Sequence, residues 1–215
     1  EKFGIPSFEQ FAKGKVLWQD EQGQVQDYPM RSPMAGALRI QVGAGALTQR
    51  IAAEISAENL LRGHVLKGLQ IQEDGVRAEV RSPEGELEIL AKQLALAIPP
   101  RLAGAIAYRP ELPDGTQQLL ESTPTWMAGH AKFFALYDEP FWRELGLCGT
   151  AMSRQGPLAE IHDASPHGAD GYSLFGFVGL DAKTRAQLGE AELIRMASEQ
   201  LVKIYGEKAG HYKEV

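Results

Sequence analysis

The chain has 215 residues, 44% of them apolar and 23% charged, with 22 Lys and Arg against 28 Asp and Glu for a formal charge of -6. That balance excludes disorder as a description of the whole chain and suits one large domain or two small ones. No run of five basic residues occurs, which argues against a nucleic-acid partner, because phosphate binding needs clustered positive charge.

In chain order, Glu1 to Pro6 reads as an excised start, since no Met opens it. Residues 1 to 38 read as a short helix, with Phe8, Phe11 and Ala12 on one face, followed by irregular loop. The Val16-Leu17-Trp18 run lies within it. Leu38 to Val42 alternates apolar and polar, as a strand does. Gly43-Ala44-Gly45 breaks it, and a helix follows with Leu47, Ile51, Ala52 and Ile55 on one face. Val65 to Ile71, Val76 to Val80 and Glu86 to Leu90 read as three strands of a meander, joined at Asp74-Gly75 and Pro83-Glu84-Gly85. Leu94 to Ile98 is apolar throughout, as in a strand covered on both faces. Pro99-Pro100 ends it, because proline has no N–H to give a ladder. Ala131 to Tyr137 and Tyr172 to Val178 are strands. Glu190 to Tyr205 is a helix that buries Ile194, Ala197, Leu201, Ile204 and Tyr205, with Glu190 and Glu192 at its start and Gly206 at its end.

Three features carry chemistry, each with a plainer alternative. Gly43-Ala44-Gly45 between a strand and a helix is either a short phosphate-approach turn or only a tight turn. The third glycine of the dinucleotide fingerprint is replaced by Thr48. Lys132 shares a strand face with Phe134 and Leu136. It is either desolvated there, and so useful near a reaction centre, or it snorkels to water. Along Pro157 to Asp163, Leu158, Glu160 and His162 alternate with Ala159, Ile161 and Asp163. Glu160 and His162 are then either a polar spot in a pocket or a solvated face. The five His show no metal-ligand spacing, so no metal site is expected, and no G-x-S-x-G elbow supports hydrolase chemistry. Cys148 is the single cysteine, so no disulfide framework exists. With no signal peptide this points to a reducing cytosol. No apolar run approaches the roughly 18 residues that span a bilayer, so no membrane partner is expected.

The order of these pieces resembles the flavin-containing amine oxidase family, its monoamine oxidase group in particular. Four stretches carry the likeness: Val42-Gly43-Ala44-Gly45-Ala46-Leu47-Thr48 before a helix; Leu96-Ala97-Ile98-Pro99-Pro100 continued by Ile106-Ala107-Tyr108-Arg109-Pro110-Glu111-Leu112-Pro113; the lysine strand from Ala131 that runs into Tyr137-Asp138-Glu139-Pro140-Phe141-Trp142-Arg143, then Gly149-Thr150; and Leu174-Phe175-Gly176-Phe177-Val178. The likeness covers roughly residues 40 to 213. It implies an α/β (α+β) chain in three parts: residues 1–38 as a poorly matched helix and loop, 39–103 as the middle of an FAD-binding domain with a small antiparallel meander, and 104–210 as a mixed-sheet substrate domain backed by helices.

The resemblance also implies roles. Lys132 would hold a water against the reactive edge of the flavin. Met152, Glu160, His162 and Phe177 would line the substrate pocket, and Val65 would lend backbone to the adenine end of FAD. The reaction would be oxidation of an amine carbon–nitrogen bond by hydride transfer to FAD, with O2 as acceptor and a small-molecule amine as substrate. The family's N-terminal fingerprint and its C-terminal flavin segment are absent from the sequence. The chain by itself is therefore expected to be inactive and to retain no FAD, and to need those segments as partners. Two alternatives stay open: a non-catalytic α/β binding module, and a flavin oxidase or desaturase acting on a substrate that is not an amine.

Overall fold

A computed structural model describes residues 3–168 and 171–215; Glu1 and Lys2, at the start discussed above, lie outside them. In chain order the strands and helices are β1 (Ser7–Glu9), β2 (Lys15–Gln19), β3 (Val25–Tyr28), β4 (Leu38–Ile40), α1 (Gly45–Ala52), β5 (Val65–Gln72), β6 (Gly75–Ser82), β7 (Gly85–Ala91), α2 (Pro100–Ala103), β8 (Ala107–Arg109), α3 (Thr116–Ser122), β9 (Ala131–Tyr137), α4 (Phe141–Glu144), β10 (Leu147–Ser153), β11 (Leu158–Asp163), β12 (Tyr172–Val178), α5 (Ala182–Leu188) and α6 (Glu190–Tyr205). They form two compact units, Glu1–Ile51 with Gly129–Val215, and Ala52–Ala128.

In the first unit a six-stranded mixed sheet runs in the order β3-β2-β10-β11-β12-β9. One face is apolar and packs on α6. Phe133, Ala135 and Tyr137 of β9, Leu174 and Val178 of β12, and Ile161 of β11 meet Ala197, Leu201, Ile204 and Tyr205. Period-two alternation in the strands and 3.6-residue periodicity in α6 each turn one apolar stripe toward the other. Burial of each large side chain there contributes about 2 kcal/mol.

The register of β11 is set by a bulge. Leu158 pairs with Val178 and Glu160 with Phe177, with a shift between them. Leu158 therefore faces the α6 side and is fully buried, while Glu160 faces the other way. This corrects the expected Leu158–Glu160–His162 face, because strict alternation fails where one strand carries an extra residue. Gln200 of α6 holds the bulge. Its Nε2 donates to the Leu158 carbonyl at 2.7 Å, and its Oε1 accepts from the Leu158 N–H at 2.8 Å.

The far end of β11 is fixed by Asp163, which is buried. Its carboxylate accepts from Trp142 Nε1 (2.8 Å) and Arg143 Nε (2.9 Å) of α4 and from the Ser165 N–H (2.9 Å). Gly149 makes the close approach possible: its φ is +76°, and a Cβ there would sit 2.8 Å from Asp163 Cβ and 3.0 Å from Trp142 Nε1.

Residues 1 to 38 correct the expected helix and loop. The described residues among them supply β1, β2 and β3, and no helix. β2 lies inside the sheet, parallel to β10, with Trp18 opposite Met152. Its strand state comes from that long-range pairing and leaves no local periodicity to read.

In the second unit β7-β6-β5-β8 form a four-stranded sheet over a small core of Leu69, Ala78, Val80 and Ile106. The meander forms as expected. Its sheet is completed by β8, which pairs in parallel with β5, so compactness does not divide the chain at residues 38/39 and 103/104. Residues 94 to 98, expected as a strand, are irregular. No described strand pairs with them, and Leu94, Leu96 and Ile98 stay partly exposed. Among the described residues no helix is long and apolar enough to cross a membrane.

Candidate functional site

The face of the six-stranded sheet turned away from α6 carries the candidate residues. Lys132 and Phe134 of β9 pair with Phe177 and Phe175 of β12, which pair in turn with Glu160 and His162 of β11. Together with Gln10, Met34, Arg39 and Ala164 they enclose a cavity of about 300 Å³. Its floor is aromatic: Phe134 and Phe175 lie 5.2 Å apart between centroids, and Phe175 and Phe177 meet edge to face at 4.7 Å.

Lys132 stands at one side of this floor. Its Nζ is 5.6 Å from the centroids of both Phe175 and Phe177, within reach of the negative ring faces. The side chain is exposed, so of the two readings offered by the sequence, desolvation and snorkelling to water, the second describes Lys132 within this chain. At the other side Glu160 is partly exposed and accepts from His162 Nε2 at 2.7 Å, while the His162 side chain is only 1% exposed. His162 also stacks on Phe175 at 6.1 Å. Its Nδ1 is 3.2 Å from Thr150 Oγ1, and Thr150 Oγ1 is 2.8 Å from Ser32 Oγ.

The roof comes from the N-terminal stretch. Gln10 Nε2 donates to the Asp163 carbonyl at 2.6 Å, and Arg39 Nη1 donates to the Ala164 carbonyl at 2.8 Å. These bonds tie the β1–β4 pair to the end of β11. Arg39 is thereby occupied with backbone carbonyls, and Lys132 is the cation left with no ion-pair partner among the described residues lining the cavity.

Of the residues singled out from sequence, Lys132, Glu160, His162 and Phe177 line this cavity. Met152 lies beside them, opposite Glu160 on β10 and half-buried. Val65 opens β5 in the second unit, 43% exposed. Phe175 was missed, although its place two residues before Phe177 on a strand marks the same face. Gln10, Met34, Arg39, Thr150 and Ser32 reach the site only through tertiary contacts and leave no local signal. At the Gly43-Ala44-Gly45 turn, Gly43 has φ +84°, and a Cβ on either glycine would meet nothing within 4 Å. Positive φ accounts for Gly43 as a tight turn, with no close approach in the described structure.

Residues 8–215 match the family model described as flavin containing amine oxidoreductase. A putative flavin-containing monoamine oxidase, AofH, of Mycobacterium tuberculosis is 35% identical over 173 residues, 80% of this chain and 36% of that protein. The putrescine oxidase of Kocuria rosea is 27% identical over 181 residues, 80% of this chain and 37% of the relative. The solved structure of a wild-type putrescine oxidase bound to putrescine superposes with a TM-score of 0.78 at 18% identity, over 99% of this chain and 68% of that one; at that identity it speaks for the fold. The chain thus spans little more than a third of the length of these two curated relatives. Over the matched residues, with this mixed α/β architecture, the chain belongs to the flavin-containing amine oxidase family, oxidoreductases whose cofactor is FAD.

Proposed function

We propose that this chain forms the substrate side of an enzyme that oxidises an amine carbon–nitrogen bond, and that the amine lies on the aromatic floor between Lys132 and Glu160. The observation that carries the reading is the cavity itself: three phenylalanine rings flanked by an ammonium on one side and a carboxylate on the other. FAD, when bound, supplies the acceptor for the hydride leaving the amine carbon, O2 takes the electrons from it, and the resulting imine is hydrolysed in water.

The residues present fit the reactive edge of a flavin. Phe134 is 44% exposed beside the exposed Lys132, which gives a planar apolar surface next to a hydrogen-bond donor. Lys132 holds a water there through its ammonium, and the rings exclude bulk solvent from the amine. The backbone of Val65 serves the adenine end. Residues 38 to 126 also carry apolar side chains in water, with Leu38, Val42 and Leu90 each 70% exposed and Trp126 87% exposed. Isolated apolar residues on a surface are ordinary, but this many in one stretch favour cover by further protein. We assign that cover to the flavin-binding segments that the longer relatives have, and read the chain alone as inactive.

Glu160 sets the substrate class. A carboxylate in a partly desolvated pocket is costly unless a positive group pairs with it. A second ammonium on the substrate does so, and the relative crystallised with putrescine is named for a diamine. A diamine, polyamine or other amine with a distal cation is therefore the preferred substrate, with Met152 and Phe177 against its carbon chain. The experiment is anaerobic mixing of a monoamine or a diamine with the FAD-loaded protein that carries this chain together with those segments. Loss of the visible absorbance of oxidised flavin with the diamine supports the reading. No bleaching with any amine overturns it.

A further inference from the structure

We infer that Thr150 and Ser32 are positioning residues: they hold His162 in the tautomer that donates to Glu160, and so aim the carboxylate assigned above to the distal cation. The inference rests on that reading of Glu160 for its functional meaning, and on geometry for the rest.

Four hydrogen bonds lie in series. The Met34 N–H donates to Ser32 Oγ at 3.2 Å; Ser32 Oγ and Thr150 Oγ1 are 2.8 Å apart; Thr150 Oγ1 and His162 Nδ1 are 3.2 Å apart; and His162 Nε2 and Glu160 Oε1 are 2.7 Å apart. Ser32, Thr150 and His162 are 4%, 1% and 1% exposed, so bulk solvent has little access to them and their partners are sought within the protein. A buried hydroxyl proton needs an acceptor. The Met34 N–H can only donate, so Ser32 Oγ accepts there, and the Ser32 proton has Thr150 Oγ1 as its acceptor among the described residues. Thr150, accepting from Ser32, turns its own proton to Nδ1. Nδ1 is then bare, and the ring proton sits on Nε2, facing Glu160.

The reverse direction fails the same count. A proton on Nδ1 forces Thr150 to accept from the ring and donate to Ser32, which leaves the Ser32 proton with no acceptor among the described residues. A doubly protonated ring fails for the same reason. The imidazole beside Glu160 is therefore neutral, and the carboxylate keeps its full charge for the substrate instead of spending it on its neighbour. One carboxylate oxygen is fixed by Nε2–H, which orients the group before a substrate arrives.

The ring nitrogens of His162 test this in the nitrogen-15-labelled chain. A long-range proton–nitrogen correlation spectrum at neutral pH is expected to show a protonated, pyrrole-type Nε2 and a bare, pyridine-type Nδ1. A wild-type ring protonated at Nδ1, or at both nitrogens, overturns the inference. Thr150→Val keeps the side-chain shape and removes the hydroxyl. It is expected to replace the single tautomer by averaged signals, and Thr150→Ser to restore it; an unchanged spectrum in Thr150→Val removes Thr150 from the role. Kinetics of the FAD-loaded longer protein separate the two claims. Thr150→Val should raise KM for a diamine by about tenfold and leave kcat and the monoamine KM nearly unchanged. Equal loss for diamine and monoamine marks a merely structural effect and overturns the positioning role. A His162 ring with the expected tautomer, in a protein whose diamine preference ignores Glu160→Gln, upholds the relay and overturns the distal-cation reading alone.

Discussion

Lys132 and Glu160 flank the same residue: Phe177 pairs across strands with Lys132 on β9 and with Glu160 on β11. The ammonium and the carboxylate therefore stand two strands apart, on the order of 10 Å, on one face of the sheet. On the sheet between them lies the Phe177 ring. This spacing separates a place for chemistry from a place for recognition, and the two are open to separate tests.

Lys132→Met removes the hydrogen-bond donor and keeps most of the apolar stem. In the FAD-loaded longer protein it should slow flavin reoxidation by O2 or the reductive step by about tenfold or more. Stability in urea should change by no more than about 0.5 kcal/mol, because the side chain is exposed. Stopped-flow absorbance resolves the two half-reactions, and wild-type rates in both would take Lys132 out of the mechanism.

Glu160→Gln keeps the size of the side chain and removes its charge. The ratio of kcat/KM for a diamine over a monoamine should fall by on the order of tenfold or more, carried by the diamine. Steady-state kinetics with both substrates decide it, and an unchanged ratio excludes a distal cation at this carboxylate.

Gln200→Leu tests the bulge. The leucine fits the apolar surroundings, but the Leu158 N–H and C=O lose the groups that meet them at 2.8 and 2.7 Å. Destabilisation of about 2 to 4 kcal/mol is expected in chemical denaturation, from two buried polar groups left short of partners. A loss under about 0.5 kcal/mol would show that the sheet satisfies Leu158 without the glutamine.

Stability should fall at alkaline pH. Burial holds the hydroxyls of Tyr137 and Tyr205 well above the usual tyrosine range, with Tyr212 adding to the shift at Tyr137 and Cys148 adding at Tyr205. The folded chain keeps these protons where the unfolded chain releases them, from about pH 10 upward. Their contribution is thus complete below that pH and shrinks as pH rises, by up to about 1.4 kcal/mol per pH unit for each tyrosine. Each hydroxyl also donates to a backbone carbonyl at 2.9 Å, Tyr137 to Ala209 and Tyr205 to Gly149. Denaturation midpoints between pH 8 and 11 (a range set by about the free tyrosine value) should flatten in Tyr205→Phe; an equal slope in that variant would assign the alkaline loss to other groups.

The parts legible in the sequence are those whose state follows from one local stripe. β9, β12 and α6 run over the expected residues because each buries a regular face against a partner of matching period. β2 was not legible as a strand, because what makes it one is β10, more than a hundred residues away. The 94–98 run reads as strand by composition, yet composition supplies no ladder partner. Glu160 and His162 were placed on one face correctly, but Leu158 was not, since a bulge breaks the count of two on which that inference stands. The Ser32–Thr150 bond joins residues 118 positions apart, and nothing local to either foretells it.

The bulge in β11 has a consequence for how such a protein can change. Leu158 and Ile161 answer to the packing with α6, and Glu160, between them, answers to the cavity. A mutation at position 160 leaves the volume on the helix side as it was, so it is filtered by what is bound and hardly by whether the chain folds. Descendants can explore new substrates at this codon while the neighbouring codons stay under the constraint of stability.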